Sequence, residues 1–394
     1  MRICAVVCEY NPFHNGHKYQ LEQIKQQSGC DTVLCLMSGN FTQRGDIALF
    51  DKYTRATHAV ENGADVVIEL PTAFAVSSAE QFARGAIHLL ASIPAVKTLA
   101  FGCENGSSES FLDAARATLS EDKRFKTLLK EKMKDGTSYV KARTETVTEL
   151  NPTLDETLFT KPNNILGLEY CRALLQEKSA VKPLPLFRIG GDFKDETLRK
   201  EFSSASAIRS ALARKEKKEQ KLLKNNLPKN VLDDCRNLLA NPYPEAALCA
   251  LFSATPETIA LCPDCSEGLE HRLQAMTKSN QEYDVILDKC VSKRYTRARL
   301  KRIVLQNFLG VTRKLVKDSL DSPLYYKVLA VRRSRSEEIL SALADGSFPV
   351  LSRGRDVREL SKDALACFAL DARAVTLYNL LCRTQISEYE MKLI

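Results

Sequence analysis

The sequence predicts an α/β protein with a Rossmann-like parallel sheet in its N-terminal part and a mainly helical C-terminal part. Short apolar runs alternate with segments whose apolar residues recur at helical spacing. Strands that alternate with helices favour parallel pairing, because each helix returns the chain to the same end of the sheet. Near residue 215 the chain becomes rich in Lys and Glu, and beyond that point only helical periodicity is clear.

The predicted elements of the first hundred residues alternate in type. In order they are strand 3–8, helix 16–28, strand 32–37, helix 52–62, strand 66–70, helix 78–92 and strand 98–101. Gly29 and Gly63 stand where two of these helices end, because glycine readily adopts the left-handed conformation that closes many helices. The pattern predicts one parallel sheet with right-handed crossovers.

The rest of the chain completes this domain and adds a second one. Residues 107–180 are charge-rich and mostly helical, residues 184–189 predict another strand, and residues 206–214 predict another helix. We therefore predict an α/β domain over 1–214, with a helical insertion at about 107–180, and a helical domain over 215–394.

Composition and charge limit the classes of function that this protein can have. The 394 residues are 44% hydrophobic, and the sequence shows neither a signal peptide nor an 18-residue apolar run, so no membrane association is expected. Thirteen scattered cysteines indicate reduced thiols in a cytoplasmic protein. Residues 1–200 carry 25 basic and 25 acidic side chains, whereas residues 201–394 carry 32 and 24. The net charge of +8 thus lies in the second half and favours a polyanionic partner there.

The main functional signal follows the first strand. Residues 9–17 read Glu-Tyr-Asn-Pro-Phe-His-Asn-Gly-His and lead from strand to helix. The unpaired N–H groups at a helix start attract an anion such as a triphosphate, and Gly16 lets a nucleotide approach the backbone. His14 and His17 can converge on one side of the turn and donate N–H groups to an α-phosphate. An isolated H-x-G-H is more often a pair of surface or capping histidines, but its place after the first strand favours phosphate binding.

The sequence resembles the H-x-G-H nucleotidyltransferase superfamily and, within it, the bacterial tRNA(Met) cytidine acetate ligases. The stretches that carry the resemblance are VVCEYNPFHNGHKYQ (6–20), MSGNFTQRGDIALFDKYTRA (37–56), GADVVIELP (63–71), KPNNILGLEY (161–170), FRIGG (187–191), SASAIRSAL (204–212) and KRYTRARLKRI (293–303). The resemblance implies ATP-dependent activation of acetate and then acetylation of N4 of the wobble cytidine in elongator tRNA(Met). ATP would enter as its Mg²⁺ complex, and His14 and His17 would be the catalytic residues.

The ATP site implied by the resemblance combines the first loop with later positions. The loop residues are Val7, Cys8, Glu9, Tyr10, Asn11, Pro12, Phe13, His14, Asn15, Gly16, His17, Lys18, Tyr19 and Gln20, and the later ones are Gly102, Asn163, Asn164, Arg188, Ile189, Ser206 and Arg209.

Some of the later positions have a structural alternative. Gly102 follows the strand 98–101 at the edge where ligands bind, and a simple turn glycine is an equal alternative. Of Asn163 and Asn164, one amide would cap a helix while the other reaches the nucleotide, and the sequence does not say which.

A serine-rich helix start is the second phosphate candidate. Ser203, Ser204, Ser206 and Arg209 follow the late strand that ends near Arg188. They resemble the helix that holds the β- and γ-phosphates in H-x-G-H enzymes, although a serine N-cap with a surface arginine explains the same letters.

Four other polar residues are open to two interpretations. Gln43 and Arg44 lie in the loop after the second strand and are candidates for positioning acetate or phosphate, with a mobile surface loop as the alternative. Glu9 and Asp51 either assist a metal or pair with Lys18 or Lys52.

The remaining cysteine and histidine motifs carry little functional signal. Cys262 and Cys265 form a lone C-x-x-C with only His271 nearby, which falls short of a four-ligand zinc site. His58 and His88 are expected within helices as packing or surface residues.

A basic segment predicts contact with RNA. Its six cations, without an acidic residue between them, are Lys293, Arg294, Arg297, Arg299, Lys301 and Arg302. On a helix they would form a face that neutralises phosphates, and Tyr295 would stack on an exposed base. Further arginines follow at 332, 333, 335, 353, 355 and 358. A merely solvated helix face is the alternative.

Two other function classes remain open at this point. A small-molecule adenylyltransferase acting on a phosphorylated metabolite would use the same H-x-G-H site but leaves the basic C-terminal half without a role. A non-catalytic RNA-binding protein would need the basic clusters and no intact phosphate site. The choice of acetate over another small carboxylate and of one tRNA over others rests on the resemblance alone, and the sequence leaves the oligomeric state open.

Overall fold

The computed structural model describes residues 1–120, 122–134, 137, 139–188, 197–214, 216–238, 242–266, 268–292 and 294–394. The strands are β1 Ile3–Cys8, β2 Thr32–Ser38, β3 Val66–Leu70, β4 Val96–Cys103, β5 Lys182–Phe187, β6 Tyr326–Val331, β7 Val350–Leu351 and β8 Lys392–Leu393. The helices are α1 Asn15–Gln27, α2 Lys52–Glu61, α3 Thr72–Ala75, α4 Ala79–Ala91, α5 Ser108–Leu119, α6 Lys123–Lys134, α7 Tyr139–Leu150, α8 Thr157–Thr160, α9 Pro162–Gln176, α10 Ala205–Arg214, α11 Lys217–Asn226, α12 Lys229–Asp234, α13 Tyr243–Ser253, α14 Pro256–Ala260, α15 Leu269–Ser279, α16 Tyr283–Cys290, α17 Arg297–Leu309, α18 Arg313–Leu320, α19 Ser336–Ala344 and α20 Lys362–Cys382.

A single sheet runs through the described chain in the order β5-β4-β1-β2-β3-β6-β7, and β8 pairs with β6 beside this path. The strands β1 to β5 pair in parallel, with Cys8 opposite Met37 and Val6 opposite Ala100. The carboxyl ends of β1, β2, β4 and β5 therefore meet at one edge, which is where open α/β sheets bind ligands.

The predicted elements of the first 214 residues agree with the observed ones, and the fold class is confirmed. Gly102 is an exception, because it lies inside β4 and does not end it. Helix α1 ends before Gly29 and α2 before Gly63, and both glycines have positive φ angles, +61° and +127°.

The second half of the chain contains a strand that the sequence analysis missed. Residues 326–331 form β6, which is fully buried and pairs antiparallel with β3. A short apolar run without clear periodicity fits a buried strand and a buried helix equally well, so the periodicity did not reveal it. The division into domains at residue 214 stays a prediction, although β6 of the second half extends the sheet of the first.

Two apolar layers cover the sheet, because alternate side chains of each strand point to opposite faces. Ile3 belongs to the layer that includes residues of α4, α9, α17 and α20. Cys4 belongs to the layer that includes residues of α1, α2, α10 and α11. In α1 the core residues are Leu21 and Ile24, whose full burial contributes about 1.5–3 kcal/mol each.

Helix α20 combines an apolar composition with buried polar contacts. Among the described helices it alone is long and apolar enough to cross a membrane. Its Asp371 is buried and accepts hydrogen bonds from the backbone N–H of Thr72 and the hydroxyl of Tyr325. Because these partners belong to other core elements, α20 packs as a core helix of this fold.

Candidate active site

A cleft of about 270 Å³ lies at the carboxyl edge of the sheet. The predicted ATP-site residues that line it are Val7, Cys8, Glu9, Tyr10, Asn11, His14, Gly16, His17, Tyr19, Gln20, Gly102, Asn163, Arg188, Ser206 and Arg209. Pro12, Phe13, Asn15, Lys18 and Asn164 do not line the cleft, and Ile189 lies outside the described residues. The structure thus brings positions from five separate segments of the sequence to one place.

The two histidines of the motif stack at the start of α1. Their ring centroids are 3.6 Å apart, with 21° between the ring planes. Nδ1 of His14 accepts the backbone N–H of Gly16 at 3.1 Å, and Nδ1 of His17 accepts the backbone N–H of His14 at 3.3 Å. Since Nδ1 is an acceptor in both neutral rings, each ring carries its proton on Nε2. Both histidines therefore have an Nε2–H donor available for a ligand in the cleft.

Burial keeps both rings neutral. It lowers the pKa of His14 to about 3, with the guanidinium groups of Arg188 and Arg209 adding to the effect. Burial also lowers the pKa of His17 well below its usual value, and the neighbouring His14 adds to this. Near pH 7 the histidines act as neutral hydrogen-bond donors, and the positive charge of the cleft comes from its arginines.

Gly16 allows the stacked arrangement. A Cβ at this position would lie 2.9 Å from Cε1 of His14, so any larger residue would push the ring away from the helix start. The glycine of H-x-G-H is required here by the close approach of the His14 ring to the backbone.

Two arginines converge on one hydroxyl group in the cleft. Oγ of Ser206 accepts a hydrogen bond from Arg44 at 3.2 Å and one from Arg209 at 3.3 Å. Arg209 also donates to the carbonyl of Asn11 at 2.5 Å, which ties α10 to the first loop. Clustered guanidinium groups of this kind bind phosphate or carboxylate oxygens.

Ser203 and Ser204 line the cleft but bond within the protein. Oγ of Ser204 accepts a hydrogen bond from the N–H of Ala207 and so caps α10. This is the serine N-cap that was the alternative to phosphate binding. Oγ of Ser203 accepts the N–H of Arg199 at 2.8 Å.

The structure distinguishes the two neighbouring asparagines. Asn164 is fully buried, and its amide bonds to the N–H of Glu104, to Asn105 and to the carbonyl of Thr157. Asn163 lines the cleft and donates to Glu104 at 2.6 Å. Asn163 is thus the one that can reach a ligand, whereas Asn164 has a structural role.

A buried arginine that the sequence analysis did not single out holds the site loops. Arg55 of α2 is fully buried and donates to the carbonyl oxygens of Glu9, Ser38, Gly39 and Phe50. These hydrogen bonds join the loop after β1 to the loop after β2. Only its place within the block 37–56 of the resemblance pointed to it.

The carboxylates considered as metal ligands have other partners. Glu9 lines the cleft, where it accepts the N–H of Gln43 at 2.7 Å, and burial raises the pKa of its carboxyl group. Asp51 caps α2 by accepting the N–H groups of Tyr53 and Thr54, so it neither faces the cleft nor pairs with a lysine. The alternative pairing of these acids with Lys52 was wrong, because Lys52 bonds to Glu69 and Glu388.

An aromatic wall of the cleft also escaped sequence analysis. It consists of Phe82, Phe101, Tyr170, Phe187 and Phe202. These residues come from α4, β4, α9, β5 and the turn before α10, and each belongs to an ordinary apolar pattern. No local signal separated them from core residues.

Comparison with known proteins identifies the family. The model of the HIGH nucleotidyl transferase family matches residues 1–392. The chain is 35% identical over 395 residues to the tRNA(Met) cytidine acetate ligase of Clostridium botulinum strain Langeland, with 97% of this chain and 95% of that one covered. It is 32% identical over 409 residues to that of Clostridium acetobutylicum, with all of both chains covered. This chain belongs to the tRNA(Met) cytidine acetate ligase family.

Solved structures agree with this assignment. The crystal structure of apo TmcAL from Thermotoga maritima matches with a TM-score of 0.91 at 27% identity, over the full length of both chains. TmcAL from the same organism bound with α-thio ATP matches with a TM-score of 0.89 at 26% identity, again over both full lengths.

In this member of the tRNA(Met) cytidine acetate ligase family, three cations of the predicted basic face form ion pairs within the protein. Arg297 bonds to Asp284 and Asp288, Lys301 to Asp46, and Arg302 to Asp264. The expectation that these cations form a face free to neutralise phosphates was therefore wrong for these three, because acidic residues outside the segment fold against it.

The other members of the basic segment give a similar result. Arg299 donates to the carbonyl of Asp264 and lies over the ring of Tyr295, 5.2 Å from its centroid. Tyr295 is only 8% exposed, so this structure does not present it for base stacking. Lys293 lies outside the described residues, and the role of the whole segment toward RNA stays a prediction.

The cysteine pair and the helical histidines have structural surroundings. Cys262 and Cys265 are buried, and burial raises the pKa of each thiol to about 12. His271 is exposed at the surface. His58 bonds to Asp234 from within α2, and His88 lies in α4, as expected.

Proposed function

We propose that this chain binds ATP in the cleft, converts acetate to acetyl-adenylate, and transfers the acetyl group to N4 of the wobble cytidine of elongator tRNA(Met). One observation carries the ATP site: two neutral, stacked histidines present Nε2–H donors at a helix start that faces several arginines. The family membership supports the rest, because its named members are tRNA(Met) cytidine acetate ligases. A cytoplasmic location belongs to the same proposal, since the tRNA substrate is found there.

In the first step, a carboxylate oxygen of acetate attacks the α-phosphorus and the bond to the bridging β-phosphate oxygen breaks. Negative charge grows on the α-phosphate oxygens, where His14, His17 and the N-terminus of α1 donate hydrogen bonds. Arg44 and Arg209 would hold acetate or the leaving pyrophosphate. Because the donors are fixed before ATP arrives, little reorganisation opposes the reaction.

In the second step, N4 of cytidine attacks the carbonyl carbon of acetyl-adenylate. The carbon–oxygen bond to AMP breaks, AMP leaves, and the amine loses a proton to solvent. The exocyclic amine is a poor nucleophile, so a reactive mixed anhydride and close positioning are both needed. No covalent intermediate with the protein is required.

Mg²⁺ would enter with ATP. Magnesium usually keeps several waters and binds substrate phosphates together with one or two carboxylates. In the described part of the cleft, Glu9 is the carboxylate that could join such a shell. When bound, the ion would neutralise phosphate charge, while the histidines and arginines perform the roles given above.

The deciding experiment is exchange of labelled pyrophosphate into ATP, with and without acetate and with and without tRNA. We expect acetate-dependent exchange in the wild type. Changing both His14 and His17 to Ala should lower the exchange rate at least a thousandfold, because the loss of a single donor of this type already costs about 10²–10³ in rate.

His271→Ala is the matched control, since this histidine is exposed and lies outside the cleft. Its exchange rate should equal that of the wild type. Exchange that survives in the double histidine variant would contradict the assignment of the site. Absence of exchange in the wild type under every condition would contradict acetyl-adenylate formation and favour transfer of AMP to a phosphorylated metabolite.

A further inference from the structure

Helix α11 carries a row of lysines on its solvent side. Lys217, Lys221 and Lys224 are exposed and stand at positions i, i+4 and i+7, so they follow one face over about 10 Å. None of the three makes an ion pair with a residue that the structure describes. Lys218 is also exposed beside this face.

The opposite side of α11 is fixed to the protein. Leu223 is buried in the layer that includes residues of α1 and α10. Arg214 at the end of α10 forms an ion pair with Glu219 of α11. This acidic residue therefore already has a cationic partner other than the lysines. The lysine row therefore points away from the core.

The carboxyl end of α11 is joined to the cleft. Asn15, which follows His14, donates to the carbonyl of Asn225 at 2.8 Å. The side chain of Asn226 accepts the N–H of Ser203 at 2.7 Å and donates to the carbonyl of Arg199 at 3.0 Å. Because Ser203 lines the cleft, the end of the lysine row at Lys224 lies near the cleft.

We propose that the row Lys217, Lys221 and Lys224 binds backbone phosphates of the substrate tRNA while the wobble base occupies the cleft. This inference rests on the proposed function, which requires an anticodon loop at the cleft. Lysines without internal partners are available to replace the counterions of a nucleic acid, and this exchange supplies most of the affinity for a phosphate backbone. The paired cations of α17 would first have to give up their carboxylate partners.

The test is binding of elongator tRNA(Met) transcript to the full chain, measured by fluorescence anisotropy at several salt concentrations. In the triple variant K217Q/K221Q/K224Q we expect affinity at about 0.1 M salt to fall at least tenfold. The slope of log Kd against log salt should fall by about 2, since each lost phosphate contact removes roughly 0.7–0.9 from it. Glutamine keeps the helix propensity of lysine, so the fold should be preserved.

Helix α6 provides the matched control. Lys123, Lys126 and Lys130 are exposed on α6, and no residue of α6 is among those that line the cleft. The variant K123Q/K126Q/K130Q removes the same charge and should bind tRNA within twofold of the wild type. The variant K217R/K221R/K224R keeps the charge of α11 and should also retain affinity.

Equal losses in the α11 and α6 glutamine variants would overturn the proposal, because they would indicate attraction by net charge alone. Unchanged affinity in the α11 glutamine variant would overturn it as well. A wild type that binds tRNA through α11 but shows no acetate-dependent exchange would contradict the proposed function and leave the α11 surface intact.

Discussion

Helices α11 and α17 are both rich in cations, yet their charges have different partners. In α17, the side chains of Arg297, Lys301 and Arg302 pair with acidic residues at positions 46, 264, 284 and 288. In α11, Lys217, Lys221 and Lys224 have no such partners among the described residues. A charge run in the sequence therefore does not show by itself which of its cations the fold leaves available to an anionic partner.

The position of α17 gives its cations a structural role. The backbone of Lys301 and Arg302 touches the loop that carries Arg44, so closely that a Cβ on Gly45 would lie 2.5 Å from the carbonyl carbon of Lys301. Lys301 also pairs with Asp46 of the same loop. Helix α17 thus supports a wall of the cleft, whereas α11, whose carboxyl end is joined to the cleft, leaves its lysines in solvent.

Replacing Gly45 by Ala should have the largest effect on this contact. Its φ of +80° disfavours any side chain, and the new Cβ would also meet the backbone of α17. We expect a loss of about 3 kcal/mol in the free energy of unfolding, measured by urea denaturation. The KM for ATP should rise as well, because the loop carries Arg44.

Gly268→Ala is the matched control for this variant. Gly268 has nearly the same φ, +78°, but nothing lies within 4 Å of a Cβ built there. The variant should lose about 1–2 kcal/mol of unfolding free energy, because alanine disfavours the left-handed conformation. The KM for ATP should not change. Equal losses in both variants would show that packing of α17 against the loop contributes nothing.

Replacing Arg302 by Leu should have the next largest effect. The pair of Arg302 with Asp264 is 12% and 10% exposed, so the variant leaves a mostly buried carboxylate without its cation. We expect a loss of about 2 kcal/mol in unfolding free energy and no change in affinity for tRNA.

Adding Asp264→Asn to this variant should recover about half of the loss, since the amide removes the charge and can keep the bond to Gln306. A loss below about 0.5 kcal/mol in the single variant, together with weaker tRNA binding, would place Arg302 on the RNA surface and remove the contrast with α11.

Replacing Arg297 by Gln should have the smallest effect. Its partners Asp284 and Asp288 are 77% and 67% exposed, and exposed ion pairs contribute little to stability. We expect unfolding free energy within about 0.5 kcal/mol of the wild type and tRNA affinity within twofold. If this one change weakened tRNA binding as much as the α11 triple variant, residues 294–302 would be an RNA surface after all.

Several site features were predictable because local sequence dictates them. The apolar run 3–8, the following turn and the helix start near Gly16 place His14 and His17 at the sheet edge through backbone rules alone. The choice between Asn163 and Asn164 was not predictable, because both follow Pro162 and the side of α9 that faces the cleft depends on how α9 packs. Arg55 was missed because it donates to backbone carbonyl oxygens. Every residue has such an oxygen, so the residue types in the sequence do not indicate the contact.

The sequence by itself determined the parallel α/β fold, the place of the H-x-G-H motif between the first strand and the first helix, and the excess of positive charge in the second half. These features depend on residue periodicity, on helix-start chemistry and on composition, all of which act over a few residues or can be counted. Only the tertiary structure decided that β6 extends the sheet, that Asn163 faces the cleft, and that Arg297, Lys301 and Arg302 of α17 have acidic partners while Lys217, Lys221 and Lys224 of α11 have none among the described residues. Pairing of charges and strands depends on distances between segments that are remote in sequence, and folding alone sets those distances.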